Sequence, residues 1–163
     1  MTVIGDVMTG GPAVLCLLEK DSIRTMIEQM LYYQCSSVAI TDTDDVQTRK
    51  PLAILTKTDV LRWVLKHDLS SPIKSALDPT RALTIVDTDM DVDVAANLMV
   101  HKKVHHLIVI EREASVLKGI ISAFSLATYM ASEKKVWPFP KNFVLDNICE
   151  YQNVELEAVE TNV

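Results

Sequence analysis

A hydroxyl and a carboxylate stand three residues apart in "LAILTKTD", residues 52–59. Four apolar residues predict a short buried strand, and "TKTDVLRWVL" has the apolar spacing of a helix, so Thr56 lies at the junction and Asp59 in the first helical turn. In one interpretation, Thr56 caps the helix and Asp59 completes a capping box that complements the helix dipole. In the other, the two side chains reach beyond the cap and hold the hydroxyls of a ribose. Both roles stay open for this pair.

Two other groups of residues invite a chemical interpretation. The carboxylates of "DTDMDVD", residues 87–93, have calcium-loop character, but counting from Asp87 places Val92 and Leu98 where an EF-hand needs Gly and Glu. A solvated helix start is therefore the preferred interpretation. Cys16 and Cys35 fall in apolar runs that favour inert thiols, and the chain has no hydrolase elbow, zinc-protease or Walker motif. The sequence predicts no enzyme activity and no metal site.

Composition bounds the protein class. The 163 residues are 48% hydrophobic, which argues against disorder, and the formal charge of −6 argues against nucleic-acid binding. No apolar run reaches the ~20 residues of a membrane helix, and "MTVIGDVMTGG" lacks a signal peptide's features. We expect an intracellular, cytoplasmic protein without a membrane partner. The three separated cysteines indicate neither a disulfide framework nor a zinc site.

The chain repeats itself. Residues 7–41 align with 76–110 at a constant offset of 69, and each copy carries a helix between two short apolar strands. The predicted strands are "AVLCLL" and "SSVAI" in the first copy, and "ALTIV" and "HHLIVI" in the second. The apolar helix faces correspond as well; they are Ile23, Met26, Ile27, Met30 and Leu31 in the first copy, and Val92, Ala95, Ala96, Met99 and Val100 in the second.

Beyond these strands the offset drops to 66, because a polar loop, "DTDDVQTRK", lengthens the first copy. Each copy then closes with a strand and a helix, "LAILTKTDVLRWVL" or "KGIISAFSLATYM". The predicted fold is α/β (α+β): two β-α-β-β-α units, residues 3–69 and 70–135, packed sheet to sheet because one such unit buries too little surface. Residues 136–163 hold one lysine against five acids and form an acidic, partly disordered extension with a short helix in "NFVLDNICEY".

Such a tandem, each copy closing with G-h-h-[ST]-x-x-D before a helix, resembles the CBS domain, whose pairs form Bateman modules. The first copy has Ala53 in place of the motif's glycine, followed by Ile54, Leu55, Thr56 and Asp59. The second copy keeps Gly119, Ile120, Ile121 and Ser122 but has Ser125 in place of the aspartate. The resemblance covers residues 3–135.

The resemblance implies a regulatory module with no required cofactor. Such modules bind AMP, ADP, ATP or S-adenosylmethionine in clefts between the units, with the motif's aspartate on the ribose. Ile54, Thr56 and Asp59 would mark the intact nucleotide-binding site, whereas Ser122 and Ser125 would mark a weakened or altered one because a serine lacks the carboxylate's charge. Homodimerisation, and a regulated enzyme or transporter as partner, are also implied.

His105 and His106 begin the second strand of the second copy. In relatives such as the regulatory subunit of AMP-activated kinase, a His-Arg pair at this place faces nucleotide phosphates; here His106 replaces the arginine. Strand alternation sends the two rings to opposite faces, so at most one enters a given cleft. A phosphate contact and an ordinary strand histidine are both open, as is an interaction module that binds no ligand and uses Asp59 only as a cap.

Overall fold

The computed structural model describes residues 2–10 and 13–132, so the acidic extension of residues 136–163 and its predicted helix lie outside the described part. The chain divides into two compact units, Met1–Ala127 and Thr128–Val163. The elements are β1 (Thr9–Gly10), β2 (Cys16–Leu18), α1 (Ile23–Tyr32), β3 (Ser37–Thr41), β4 (Pro51–Thr56), α2 (Lys57–Trp63), β5 (Ile85–Asp87), α3 (Val92–Lys102), β6 (His106–Glu111), β7 (Val116–Ser122) and α4 (Ala123–Ser132). The predicted α+β class and the repeated strand-helix-strand-strand-helix order are confirmed.

Each copy builds one mixed sheet of the same design. The first sheet has the order β2-β3-β4 and the second has the order β1-β7-β6-β5. In both, the strand before the long helix pairs parallel with the strand after it, and that strand pairs antiparallel with the last one. This parallel pair needs a crossover, which α1 and α3 supply.

The segment that leads into each copy packs on the other copy. The N–H groups of Ile4 and Gly5 donate to the carbonyls of Met90 and Thr88, at 2.9 and 3.0 Å, and β1 pairs with β7. In the same way, residues 69–74 bond to the first copy, where Ile73 N–H donates to Asp21 O at 2.8 Å. The domain boundary between residues 69 and 70 stays a prediction. The hydrogen bonds join residues 4–10 to the second copy and residues 69–74 to the first copy.

The two sheets meet through an apolar layer. Its buried members are Ala39 of the first sheet, Ile108, Leu117 and Ile120 of the second, and Val14, which precedes β2. A second cluster lies between α1, α2 and the first sheet and includes Met26, Met30 and Trp63. Trp63 is 8% exposed and is therefore a core residue. Burial of the layer between the sheets favours the pairing of the copies, and burial of the second cluster stabilises the first copy.

Several boundaries and faces differ from the sequence predictions. Leu31 and Val100 are 71% and 79% exposed, so neither belongs to the buried face of its helix. Each lies about 100° around the helix from the buried methionine before it, beyond the arc that the sheet covers. The strands β2 and β5 begin three residues later than predicted, and β6 begins at His106, which leaves His105 before the strand. Within residues 2–10 and 13–132, no helix has the length and apolar character needed to cross a membrane.

Candidate functional site

Thr56 ends β4 in an extended conformation, and α2 begins at Lys57. One carboxylate oxygen of Asp59, Oδ2, accepts hydrogen bonds from the Thr56 N–H at 2.8 Å and from the Thr56 hydroxyl at 2.9 Å. This is the carboxylate half of the predicted capping box, and it satisfies an amide that the helix itself leaves without a partner. Thr56 and Asp59 are therefore hydrogen-bonded to each other at the start of α2, as the helix-cap interpretation expects.

The other carboxylate oxygen of Asp59 faces two arginines. Arg81 Nη1 lies 2.6 Å from Oδ1, and Arg62 Nη1 lies 3.9 Å from it. Asp59 is 4% exposed, which is unusual for a carboxylate, and such burial requires paired charge and hydrogen bonds. Arg81 lies in the linker between α2 and β5, residues 64–84. Sequence reasoning missed it, because no local spacing connects this residue with Asp59, 22 positions earlier.

A cavity of about 790 Å³ opens beside Asp59. This volume lies in the range of pockets that hold small molecules. Its wall is apolar along β4, which contributes Ile54 and Leu55, and along the segment before β5, which contributes Leu83. Its charged residues are Glu19, Asp59, Arg62, Lys66, Lys74, Asp78 and Arg81. The cavity therefore combines an apolar wall along β4 with a strongly charged rim, which suits a ligand that has both an apolar and a charged part.

The second copy of the motif has a different chemistry. Ser125 N–H donates to the Ser122 hydroxyl at 3.0 Å, and the two hydroxyl oxygens lie 2.9 Å apart. Both serines line a separate cavity of about 270 Å³, which is smaller than typical ligand pockets. Among the described residues that line this cavity there is no Asp, Glu, Lys or Arg. The site has therefore kept its helix cap but has no charged group.

Neither His105 nor His106 is among the described residues that line the two cavities, but His106 contacts Ser36, which lines the smaller one. His105 is exposed, whereas His106 is half-buried, and its Nε2 lies 3.2 Å from the hydroxyl oxygen of Ser36. Burial, together with the neighbouring charge of His105, holds the pKa of His106 below its ordinary value of 6.5. The structure thus places Ile54 and Asp59 in the lining of the 790 Å³ cavity, whereas Thr56 bonds to Asp59 but is not among the described lining residues. It also places Ser122 with Ser125 and puts His106 beside Ser36.

The other polar groups have structural partners. Asp91 caps α3 by accepting the N–H of Asp93 at 2.8 Å, and Asp87 pairs with Arg112 at 2.8 Å. Burial is the main cause that raises the pKa of the Cys16 and Cys35 thiols. Arg49 lies in the polar loop predicted to be solvated but is 4% exposed, and its carbonyl accepts the N–H of Leu117 in the other copy. Across the described residues, no group of His, Cys, Asp or Glu has the arrangement of a metal site.

Comparison with known proteins assigns these features to a family. The model of the CBS domain matches twice, at residues 4–66 and 73–132. Comparison with curated proteins gives no match. Many solved structures share the fold at low sequence identity.

Three of these structures carry adenosine compounds by their descriptions. A CBS domain protein of Pyrobaculum aerophilum, complexed with AMP, is 20% identical, with a TM-score of 0.68 over 83% of this chain and 98% of that one. The CBS domain pair of protein MJ0100, with 5′-methylthioadenosine and S-adenosyl-L-methionine, is 16% identical, with a TM-score of 0.69 over 82% and 99%. The CBS domain of a bacterial CNNM/CorC family Mg²⁺ transporter, with ATP, is 17% identical, with a TM-score of 0.67 over 81% and 89%. At these identities, the likeness concerns the fold.

Proposed function

The chain belongs to the CBS domain family, and from this premise we propose that it is a regulatory protein that senses an adenosine-containing ligand. The ligand binds in the cavity beside Asp59, with Ile54, Thr56 and Asp59 as the principal contacts. AMP, ADP, ATP and S-adenosyl compounds are the candidates, because the three solved relatives described above hold compounds of this class. The protein requires no other cofactor and catalyses no reaction.

The observation that carries the proposal is the buried carboxylate of Asp59 in the wall of a cavity of about 790 Å³. An ionised carboxylate accepts hydrogen bonds from ribose hydroxyls, and a charge-assisted bond of this kind contributes ~1.5–3 kcal/mol. The apolar side chains along β4, including Ile54, suit the faces of a purine ring. The 270 Å³ cavity at Ser122 and Ser125 is a secondary site at most, and His106, with its neighbour His105, reaches it only through Ser36.

Signalling in this proposal is a population shift, in which the ligand favours one arrangement of the protein over another. The protein forms a homodimer and modulates an enzyme or a transporter inside the cell. Exposed apolar side chains on the helices or just after them support a protein contact; Leu31, Leu61, Leu65, Val100 and Phe124 are each at least 67% exposed. Large apolar side chains in water gain free energy when a partner covers them.

A second candidate function is an interaction module that binds no ligand. It is favoured by the two hydrogen bonds from Thr56 to Asp59, because they give the carboxylate a structural role as a helix cap. In that case the replacement of aspartate by Ser125 in the second copy exchanges one cap for another. The two candidates differ in one property, the binding of an adenosyl compound.

Thermal unfolding of the purified protein with a panel of adenosyl compounds tests the proposal. A ligand that binds only the folded state stabilises it by ~2.7 kcal/mol at a hundredfold excess over its Kd, which raises the Tm of a chain of this size by about 5 °C or more. We expect such a shift in the wild type and none in Asp59→Ala. Asp91→Ala is the matched control, since it removes a helix cap away from the cavity. Absence of any shift with every compound would favour the interaction module.

A further inference from the structure

We propose that Arg81 determines the ligand class of the cavity beside Asp59, by favouring adenosine ligands that carry a phosphate over neutral nucleosides. The inference rests on the proposed function, because it concerns the same cavity. The inference starts from the observation that Asp59, the carboxylate proposed to bind the ribose, already forms an ion pair with Arg81. Arg81 Nη1 lies 2.6 Å from Asp59 Oδ1, within charge-assisted hydrogen-bonding distance.

The two oxygens of Asp59 are engaged differently. Oδ2 accepts two bonds from Thr56, which belong to the start of α2 and persist as long as that helix begins there. Oδ1 is held by Arg81, a linker residue whose side chain is 48% exposed on an otherwise buried carboxylate. A ribose hydroxyl that binds Oδ1 must therefore displace the guanidinium of Arg81, and the half-exposed side chain leaves room for that displacement toward solvent.

The nature of the ligand decides what happens to Arg81 after displacement. A neutral nucleoside offers the guanidinium no anion, so binding loses an ion pair. A phosphate offers oxygens that match the planar fork of an arginine, so the displaced side chain gains a new charged partner in the same cavity. The free-energy difference favours the phosphorylated ligand.

The charge of the cavity wall acts in the same direction. Four cations, Arg62, Lys66, Lys74 and Arg81, line the cavity together with three carboxylates, those of Glu19, Asp59 and Asp78, so the lining has a formal charge of +4 − 3 = +1 with His67 neutral. The whole chain has a charge of −6, so the cavity is a cationic area on an acidic protein. A site with this balance attracts anions and disfavours the sulfonium cation of S-adenosylmethionine.

Calorimetric titration with AMP and adenosine tests the inference, because the two compounds differ only in the 5′ phosphate. We expect the wild type to bind AMP about tenfold or more tightly than adenosine, a ratio that one charge-assisted contact supports. In Arg81→Gln the affinity for AMP should fall and that for adenosine should hold or rise, so that the ratio drops by about fivefold or more. Arg112→Gln is the matched control; Arg112 also pairs with an aspartate, Asp87, at 2.8 Å, but it is not among the described residues that line the cavity, and its ratio should stay within about twofold of the wild type.

The outcomes separate the inference from the function on which it rests. If the wild type binds none of AMP, ATP, adenosine, 5′-methylthioadenosine and S-adenosylmethionine, the proposed function fails and the inference with it. If it binds adenosine or S-adenosylmethionine as tightly as AMP, or if Arg81→Gln weakens AMP and adenosine by the same factor, the inference alone is overturned. Should Arg81→Gln fail to fold, Arg81→Lys keeps the charge without the planar fork; a ratio below that of the wild type supports the inference, and an unchanged ratio contradicts it.

Discussion

The hydroxyl oxygen of Ser36 lies 3.2 Å from Nε2 of His106, so a hydrogen bond connects the two copies of the repeat beside the smaller cavity. Ser36 precedes β3 of the first copy, and His106 is the first residue of β6 in the second copy. Burial of the imidazole disfavours its charged form and, with the charge of His105, lowers the pKa of His106. This contact therefore links the stability of the paired copies to pH.

The first prediction concerns that pH dependence. The folded-state pKa of His106 lies below the unfolded value of about 6.5, so the unfolded chain takes up the proton first as the pH falls. The free energy of unfolding should be fully retained above pH 6.5 and should decrease below it. Urea unfolding between pH 5 and 8 should show a smaller decrease in His106→Gln, which keeps a polar group beside Ser36 but does not titrate. Parallel curves for the two proteins would contradict this account.

The second prediction concerns the stability that Asp59 contributes without ligand. Asp59→Ala removes the acceptor of the Thr56 bonds and the partner of Arg81, and should lower the free energy of unfolding by about 1–3 kcal/mol. Asp59→Asn keeps an acceptor for Thr56 and should lose less. Urea unfolding at low and high salt measures both variants. Equal losses in Asp59→Ala and Asp59→Asn would mean that charge, not the cap, dominates the contribution.

The third prediction concerns the strand that crosses between the copies. A Cβ atom on Gly119 would lie 2.6 Å from the Thr9 carbonyl oxygen and 2.6 Å from the Met8 sulfur, closer than real Cβ contacts. Gly119→Ala should therefore displace β1 from β7 and destabilise the protein by about 1–3 kcal/mol. Gly5→Ala, whose nearest neighbour is 3.4 Å away, is the control and should change stability by no more than about 0.5 kcal/mol. Equal stability of the two variants would contradict the close packing of β1.

The fourth prediction concerns the number of ligands. The cavity at Asp59 is about 790 Å³ and contains a carboxylate, whereas the one at Ser125 is about 270 Å³ and has no charged lining residue in the described part of the chain. Calorimetry should therefore give one bound nucleotide per chain, and Ser125→Ala should leave that number and the affinity unchanged. A stoichiometry of two, with a loss of one site in Ser125→Ala, would show that the second motif binds ligand as well.

Much of the fold follows from local patterns. The offset of 69 between the copies and the apolar spacing of "SIRTMIEQMLYYQ" and "DVDVAANLMVHKK" identified α1 and α3 and the strands around them. The pair Thr56 and Asp59 was found because a capping box joins residues only three positions apart. Strand starts were less accurate: Ala13 and Ala82 are apolar and were placed in strands, but pairing begins three residues later, at Cys16 and Ile85. Pairing depends on a partner strand that periodicity does not reveal.

The sequence by itself determined the repeat, the α+β class, the two motif copies and the loss of the aspartate at Ser125, because each depends on residues that are neighbours along the chain. Only the tertiary structure decided that Arg81 pairs with Asp59 and that residues 2–10 pack on the second copy. It also decided which side chains are buried: Arg49 is, whereas Leu31 and Val100 face outward. These contacts join residues that are far apart along the chain. They form only when the whole core packs, because the burial of apolar surface that drives packing is shared by all of its residues. Local spacing therefore locates the helix start that carries the site, and packing supplies the charge beside it.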